Sequence, residues 1–180
     1  MAGDNYRAGA RVLARKGLSL DIWLYSPQLP ELADLAKAVP GVTIVLNHIG
    51  GLLRVGPYAN RDDEVLATWR SGIAAVAACP NVDIKLGGIG MPRTGFDWHA
   101  RTKPIGSEEL AESMAPFMNY CIEQFGPVRC MFESNFPVDK VAYSYNVLYN
   151  AFKRLSKGYS DAERVAMLHD NATRIYRVDV

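Results

Sequence analysis

No sign of charge prevails in this sequence: Lys and Arg number 20 against 19 Asp and Glu. Without a net field the chain has no long-range means of recruiting nucleic acid, acidic membranes or acidic ligands. Cysteine is scarce too. Cys79, Cys121 and Cys130 are odd in number and lack C-x-x-C spacing, so neither a disulfide framework nor a zinc knuckle is indicated. They read as small buried thiols in a reducing compartment. No run approaches the ~18 apolar residues of a membrane span, and "MAGDNYRAGARVLARKG" lacks the apolar core of a signal peptide. The expectation is a soluble, cytoplasmic protein with one domain over residues 1–180, large enough for a real core.

Four strand-length apolar runs are present: "SLDIWLY" (19–25), "VTIVLNH" (42–48), "NVDIKLGG" (81–88) and "RCMFESN" (129–135). Their β-branched content and the turn signals Lys16-Gly17, Pro40-Gly41 and Gly126-Pro127 mark them as strands. Between them lie helical periodicities. Leu29, Leu32, Leu35, Ala36 and Val39 form one stripe, and Val65, Leu66, Trp69, Ile73 and Val76 a second. Leu110, Met114, Phe117, Cys121 and Phe125 form a third. Asn60 is a candidate cap for the second helix, ahead of Asp62, Asp63 and Glu64. Another helix is expected over 139–156, and Ser160 to Glu163 reads as a capping box for a last one. Strands alternating with helices imply right-handed βαβ units and a parallel sheet, an α/β fold. The stretch "GGIGMPRTGFDWHARTKPIG" (87–106) is too long for an ordinary βα connection and is a candidate binding loop.

Side chains alternate along a strand, and in each run one face is apolar while the other turns polar toward the carboxyl end. Ile22 and Leu24 oppose Asp21, Trp23 and Tyr25; Val82, Ile84 and Leu86 oppose Asp83 and Lys85; Phe132 opposes Met131, Glu133 and Asn135. His48 ends the second run on the face of Ile44 and Leu46. An open sheet wrapped in helices on both sides leaves no room for four polar strand ends. A barrel does, because its interior opens at the carboxyl ends of its strands. The expected arrangement is therefore half a barrel with helices on the convex side only, and with His48, Lys85, Glu133 and Asn135 converging beside Trp23 and Tyr25.

Each of these residues has a plainer reading. A lone histidine at a strand end is usually a hydrogen-bonded core residue, and the other polar strand ends are what lift His48 above that. Lys85 suits an ion pair to Asp83 or Glu133 as well as a substrate contact. Trp23 and Tyr25 are more often packing groups. Arg54, Arg93 and His99 lie in loops, where solvated side chains are commonest; Arg54 and His99 are taken as candidate substrate contacts. The glycines of "GGIG" (87–90) miss the dinucleotide-binding spacing.

Taken together and in order, "VLNHIGG", "DIKLGGIG", "MFESNFPVDK" and "NATRIYRV" resemble the amidohydrolase-2 family over nearly the whole chain. The resemblance is to the carboxyl-terminal half of that family's TIM (β/α)8 barrel, about strands five to eight. It implies hydrolysis of a lactone or a related carboxylic ester or carboxylate, at a divalent metal (zinc or manganese) in the barrel mouth. His48 matches the histidine of the family's "DH-x-G" motif, a metal or substrate-polarising ligand. Lys85 matches a "K-L-S/G" position near the substrate. Asn135 stands where many members have the proton-accepting Asp of "GSDWP", and Glu133 replaces that motif's glycine.

The sequence departs from the family twice. An amide cannot act as a general base, so Glu133 is the candidate to replace the carboxylate missing at Asn135. No two of His48, His99 and His169 stand two apart, so the family's His-x-His pair is absent from these residues. A catalytic zinc normally takes three protein ligands. Three functions compete: a metal-dependent hydrolase of small molecules, seen as a truncated or split chain; a non-catalytic half-barrel that self-associates or pairs with an amino-terminal half; and an open α/β binding domain. Unpaired outer strands favour partnering under the first two.

Overall fold

The computed structural model describes residues 1–178. Helix α1 (Asp4–Arg15) precedes strand β1 (Ser19–Ile22), and α2 (Leu29–Ala38) leads to β2 (Thr43–Leu46). Then come α3 (Asp62–Ala77), β3 (Val82–Leu86), α4 (Ser107–Phe125), β4 (Cys130–Phe132) and α5 (Tyr145–Leu155). The chain closes with α6 (Asp161–Val165), a π-helical turn (Ala166–Asp170) and α7 (Asn171–Tyr176). No helix among the described residues is long and apolar enough to cross a membrane.

The four strands form one parallel sheet in the order β1-β2-β3-β4. On its outer face Ile22, Ile44, Leu46, Ile84, Leu86 and Cys130 are buried in one core with α1 to α5. The helical stripes supply the other half of that core: Leu29, Leu32, Leu35, Val65, Trp69, Ile73, Leu110, Met114 and Cys121 are all buried. Leu66 is the exception in its stripe and is only partly buried. Ser160 and Glu163 form the expected box, the Ser160 amide donating to Glu163 Oε2 at 2.8 Å. Cys79, Cys121 and Cys130 are free and buried, and burial pushes the thiols of Cys121 and Cys130 well up.

Three expectations are corrected. The strands are shorter than the apolar runs: β1 stops before Trp23, and β4 stops before Glu133. Residues 139–156 are not one helix, because a 3₁₀ turn (Val138–Val141) intervenes and α5 begins only at Tyr145, capped by the Ser144 hydroxyl. Asn60 does not cap α3; it takes a left-handed φ of 59° and Arg61 precedes the helix.

The convex side is also not the only one covered. Helix α7 packs Ile175 against Val45 and Met131 on the inner face, a small second core. Its polar side chains tie it down: Asn171 donates to the Pro127 and Cys130 carbonyls, and Arg174 to Asp83 Oδ1 at 2.9 Å. The Tyr176 hydroxyl donates to Asp21 Oδ2 at 2.8 Å, and Arg177 donates to the Gly17 carbonyl. The motif "NATRIYR" is thus a docking strip for the amino-terminal, lower part of the half-barrel. The carboxyl ends of the strands stay clear for the site.

Candidate active site

Residues His48 to Gly51 all have positive φ, at 55°, 48°, 73° and 58°. Four left-handed residues in a row, two of them not glycine, are strained. The surrounding structure holds them there. The buried Trp69 indole donates to the Ile49 carbonyl at 2.7 Å. A Cβ at Gly51 would lie 1.8 Å from the Leu24 carbonyl oxygen, so the turn presses directly on the chain leaving β1. This turn swings His48 off the face set by Ile44 and Leu46, over the end of the sheet.

Glu133 meets it there. Its amide donates to the Leu86 carbonyl at 3.2 Å, carrying the ladder one residue past β4. Its Oε1 accepts from the His48 backbone amide at 3.0 Å and lies 2.5 Å from His48 Nδ1. A carboxylate that accepts both takes the Nδ1 side of the ring and leaves Nε2 as the ring atom free of Glu133.

The "GGIG" loop makes this approach possible by lacking side chains. A Cβ at Gly87 would fall 2.5 Å from Glu133 Cγ, one at Gly88 2.5 Å from His48 Cγ, and one at Gly90 2.8 Å from the Tyr143 hydroxyl. The glycines permit close packing; they do not cradle a phosphate.

Asn135 also has a left-handed φ, 51°, and precedes a cis Phe136-Pro137 bond. Its Nδ2 donates to Asp139 Oδ1 at 2.7 Å, which leaves its Oδ1 without a donor among the described residues. Asp139 is fully buried and also accepts from the Gly90 amide at 3.1 Å and the Tyr143 hydroxyl at 2.7 Å. Burial pushes its carboxyl pKa up, and the three donors and the nearby His48 oppose that rise. Burial and the Asp139 charge push the Tyr143 phenol far up, so it stays a neutral donor. Sequence reasoning missed Asp139 and Tyr143 because it placed them on a helix; the spacing of Asn135, Asp139 and Tyr143 was the available signal. It also passed over Asn47, which shares the parity of Val45 and has a buried Oδ1 without a partner among the described residues.

The other candidates divide. Trp23 and Tyr25 follow β1, with rings 5.2 Å apart edge-to-face, and Tyr25 lies against Gly51 of the histidine turn. They belong to the same rim as His48. Lys85 does not join Glu133 or Asn135, nor Asp83: its Nζ pairs with Asp21 Oδ2 at 2.7 Å, beneath the Tyr176 ring. Burial alone would lower its pKa, but the bonds to Asp21 and Tyr176 outweigh burial and raise it. Arg54 is engaged by both oxygens of Asp62 and lies 5.2 Å from the Phe96 ring centroid. His99 is exposed on a separate cleft of ≈ 540 Å³ that also takes in Trp98, Phe136 and Tyr143.

No group of three or more His, Cys, Asp or Glu among the described residues is placed to hold a metal ion. His48 Nε2 is one ligand atom with the backing carboxylate that metal-bound histidines usually have. The amide oxygens of Asn47 and Asn135 carry no charge, and Glu133 is occupied by His48. This donor set does not fit zinc or manganese by itself.

The family model described as amidohydrolase matches residues 2–178. An uncharacterized protein, y4mH, of Sinorhizobium fredii is 39% identical over 173 residues, which cover 96% of this chain and 52% of that one. L-fucono-1,5-lactonase of Burkholderia multivorans is 28% identical over 173 residues, 96% of this chain and 55% of the lactonase. A crystal structure of an amidohydrolase from Burkholderia multivorans with bound zinc superposes with a TM-score of 0.83 at 26% identity, over 98% of this chain and 58% of that one. The chain spans about half the length of the curated relatives it matches. With the parallel sheet, the histidine turn and the docking strip all in the order of the motifs, the chain belongs to the amidohydrolase family.

Proposed function

We propose that this chain carries part of the site of a hydrolase that opens a lactone or a related carboxylic ester, with His48 as general base. The carrying observation is the double contact of Glu133 with His48. It fixes the ring, sets the proton on Nδ1 and stabilises the imidazolium that forms during reaction. The similarity to a sugar lactonase supports a cyclic-ester substrate.

In this reading His48 Nε2 removes a proton from water as its oxygen adds to the lactone carbonyl. The acyl carbon–oxygen bond then breaks. The departing ring oxygen takes the proton back from His48, and one lactone plus one water becomes one hydroxy acid. Asn135 Oδ1, aimed by Asp139, accepts the second hydrogen of the attacking water and orients it. Trp23 and Tyr25 form the wall beside the ring, and Lys85 serves to hold the sheet to α7. The family is generally metal-dependent, but no step here runs through an ion, because this chain's donors do not fit one.

Proton release from a panel of sugar 1,4- and 1,5-lactones tests the reading. His48→Ala should lower turnover by about 10²- to 10⁴-fold, the usual contribution of a positioned base. Glu133→Gln should cost less, and turnover unchanged in His48→Ala would remove the proposal. A second reading, a half-barrel that pairs with another segment or a second copy, is favoured by the free outer edges of β1 and β4 among the described residues. Under it, turnover would rise only with the partnered mass.

A further inference from the structure

Arg93 lies in the loop that the glycines press against His48, and its guanidinium sits over two aromatic rings. It is 4.9 Å from the Trp23 centroid and 5.8 Å from the Tyr25 centroid, and donates to the Tyr25 hydroxyl at 3.0 Å. Its backbone is held firmly. The Arg54 amide donates to the Arg93 carbonyl at 2.9 Å, and the buried Thr94 hydroxyl is shared between the Ile89 and Met91 carbonyls. Arg54 next to it in space is neutralised by Asp62. Arg93 is partly buried, yet among the described residues it has no carboxylate partner.

A partly buried guanidinium normally finds an anion, because taking the charge out of water without one is costly. One N–H is used by Tyr25, so four of the five remain to meet the two oxygens of a carboxylate in a fork. The aromatic stacking and the pinned backbone hold that fork in place before a ligand arrives, which cuts the entropy lost on binding. Gly88 touches His48, and Tyr25 touches the His48–Gly51 turn, so the cluster and the histidine share one rim.

We infer that Arg93, with Trp23 and Tyr25, forms an anchor for a small carboxylate beside the reacting centre. The anchor rests on the lactone reading above for its position in the reaction, but not for its existence. Its ligand is either a carboxyl group carried by the lactone or the carboxylate of the ring-opened hydroxy acid.

Binding can be read without turnover. Trp23 is 44% exposed, whereas Trp69 and Trp98 are 1% and 7% exposed, so a titrant at the rim alters chiefly the Trp23 emission. Glutarate, which cannot be hydrolysed, should quench or shift that emission saturably, and glutaramide should not. Arg93→Met should weaken glutarate by about tenfold or more, the loss expected for charge-assisted hydrogen bonds. Arg93→Lys should fall between, since a point charge lacks the fork. Because glutarate binding is read without turnover, failure of the anchor is distinguished from failure of the hydrolase.

With an active preparation, the source of the carboxylate follows. A raised KM in Arg93→Met confined to lactones bearing a carboxyl group assigns the anchor to substrate. Weaker inhibition by the hydroxy acid of a neutral lactone, at unchanged KM, assigns it to product. Equal glutarate affinity in the native chain, Arg93→Met and Arg93→Lys, or no saturable signal in any folded variant, would overturn the inference.

Discussion

At the scale of single residues, the site is built as much by missing atoms as by functional groups. Gly88 has φ +66°, and any Cβ there would fall on the His48 ring. Gly88→Ala should displace the imidazole from Glu133 as well as strain the backbone. The expected outcome is a loss of about 1–3 kcal/mol in urea unfolding, with disappearance of the low-field Nδ1–H proton resonance that the short His48–Glu133 contact should produce. Survival of that resonance would show that the ring is not held by this packing. Asp139 illustrates the complementary case. Its carboxylate receives three donors, two of them on Oδ2. In Asp139→Asn one carboxyl oxygen becomes a donor facing other donors, for a cost of about 1–3 kcal/mol per unsatisfied group. If Asp139 positions Asn135, kcat should fall with little change in KM, and Asp139→Glu should restore neither.

Among the elements, α7 stands apart, because its Ile175 packs on the inner face of the sheet. Arg174 is 55% exposed at its side chain, but its partner Asp83 is only 6% exposed. Burial pushes the Asp83 pKa up, and the hydrogen bond and charge of Arg174 pull it back. The sign follows. Arg174 stabilises the ionised carboxylate, so its contribution is present at neutral pH and fades as pH falls and Asp83 takes up its proton in the fold. Arg174→Met should therefore destabilise the chain at pH 7.5 by about 1–3 kcal/mol, reduced from a fully buried pair by solvent at Arg174. The difference in urea midpoint should shrink steadily toward acid pH. Lys85 behaves in the opposite sense. Its raised pKa means that its pairing with Asp21 is present below the ordinary lysine range and is lost as pH climbs through the raised value. Lys85→Met should be less stable than the native chain at neutral pH and converge with it only in strong alkali.

For the molecule as a whole, the edges of β1 and β4 that are open among the described residues, and the incomplete donor set there, bear on assembly and metal binding. A parallel sheet with two unpaired edges invites further strands. Sedimentation of the 180-residue chain should reveal species heavier than the 19.9 kDa monomer, populated more as concentration rises. Zinc should bind weakly, because one imidazole and neutral amide oxygens leave the ion mostly hydrated. Calorimetric titration should give no tight stoichiometric site, and a chelator should leave the melting temperature unchanged. A tight site lost in His48→Ala would show that the chain supplies further ligands beside His48.

Apolar alternation in "VTIVL" and the stripes Leu29-Leu32-Leu35 and Leu110-Met114-Cys121 record a neighbour one or two turns away, so the parallel α/β fold and its outer core are legible in the sequence alone. The expectation that His48, Glu133 and Asn135 meet rests on strand parity and strand-end position. The contact of His48 with Glu133 and that of Asn135 with Asp139 are set instead by turns, since His48 and Asn135 both leave the extended region at positive φ. Glu133 finds His48 across 85 residues, Arg174 finds Asp83 across 91, and Tyr176 finds Asp21 across 155. No periodicity spans such separations. The partner of Lys85, the burial of Asp139, the inner position of α7 and the cluster around Arg93 were decided by tertiary packing, which alone determines which polar groups share a low-dielectric space and must satisfy one another.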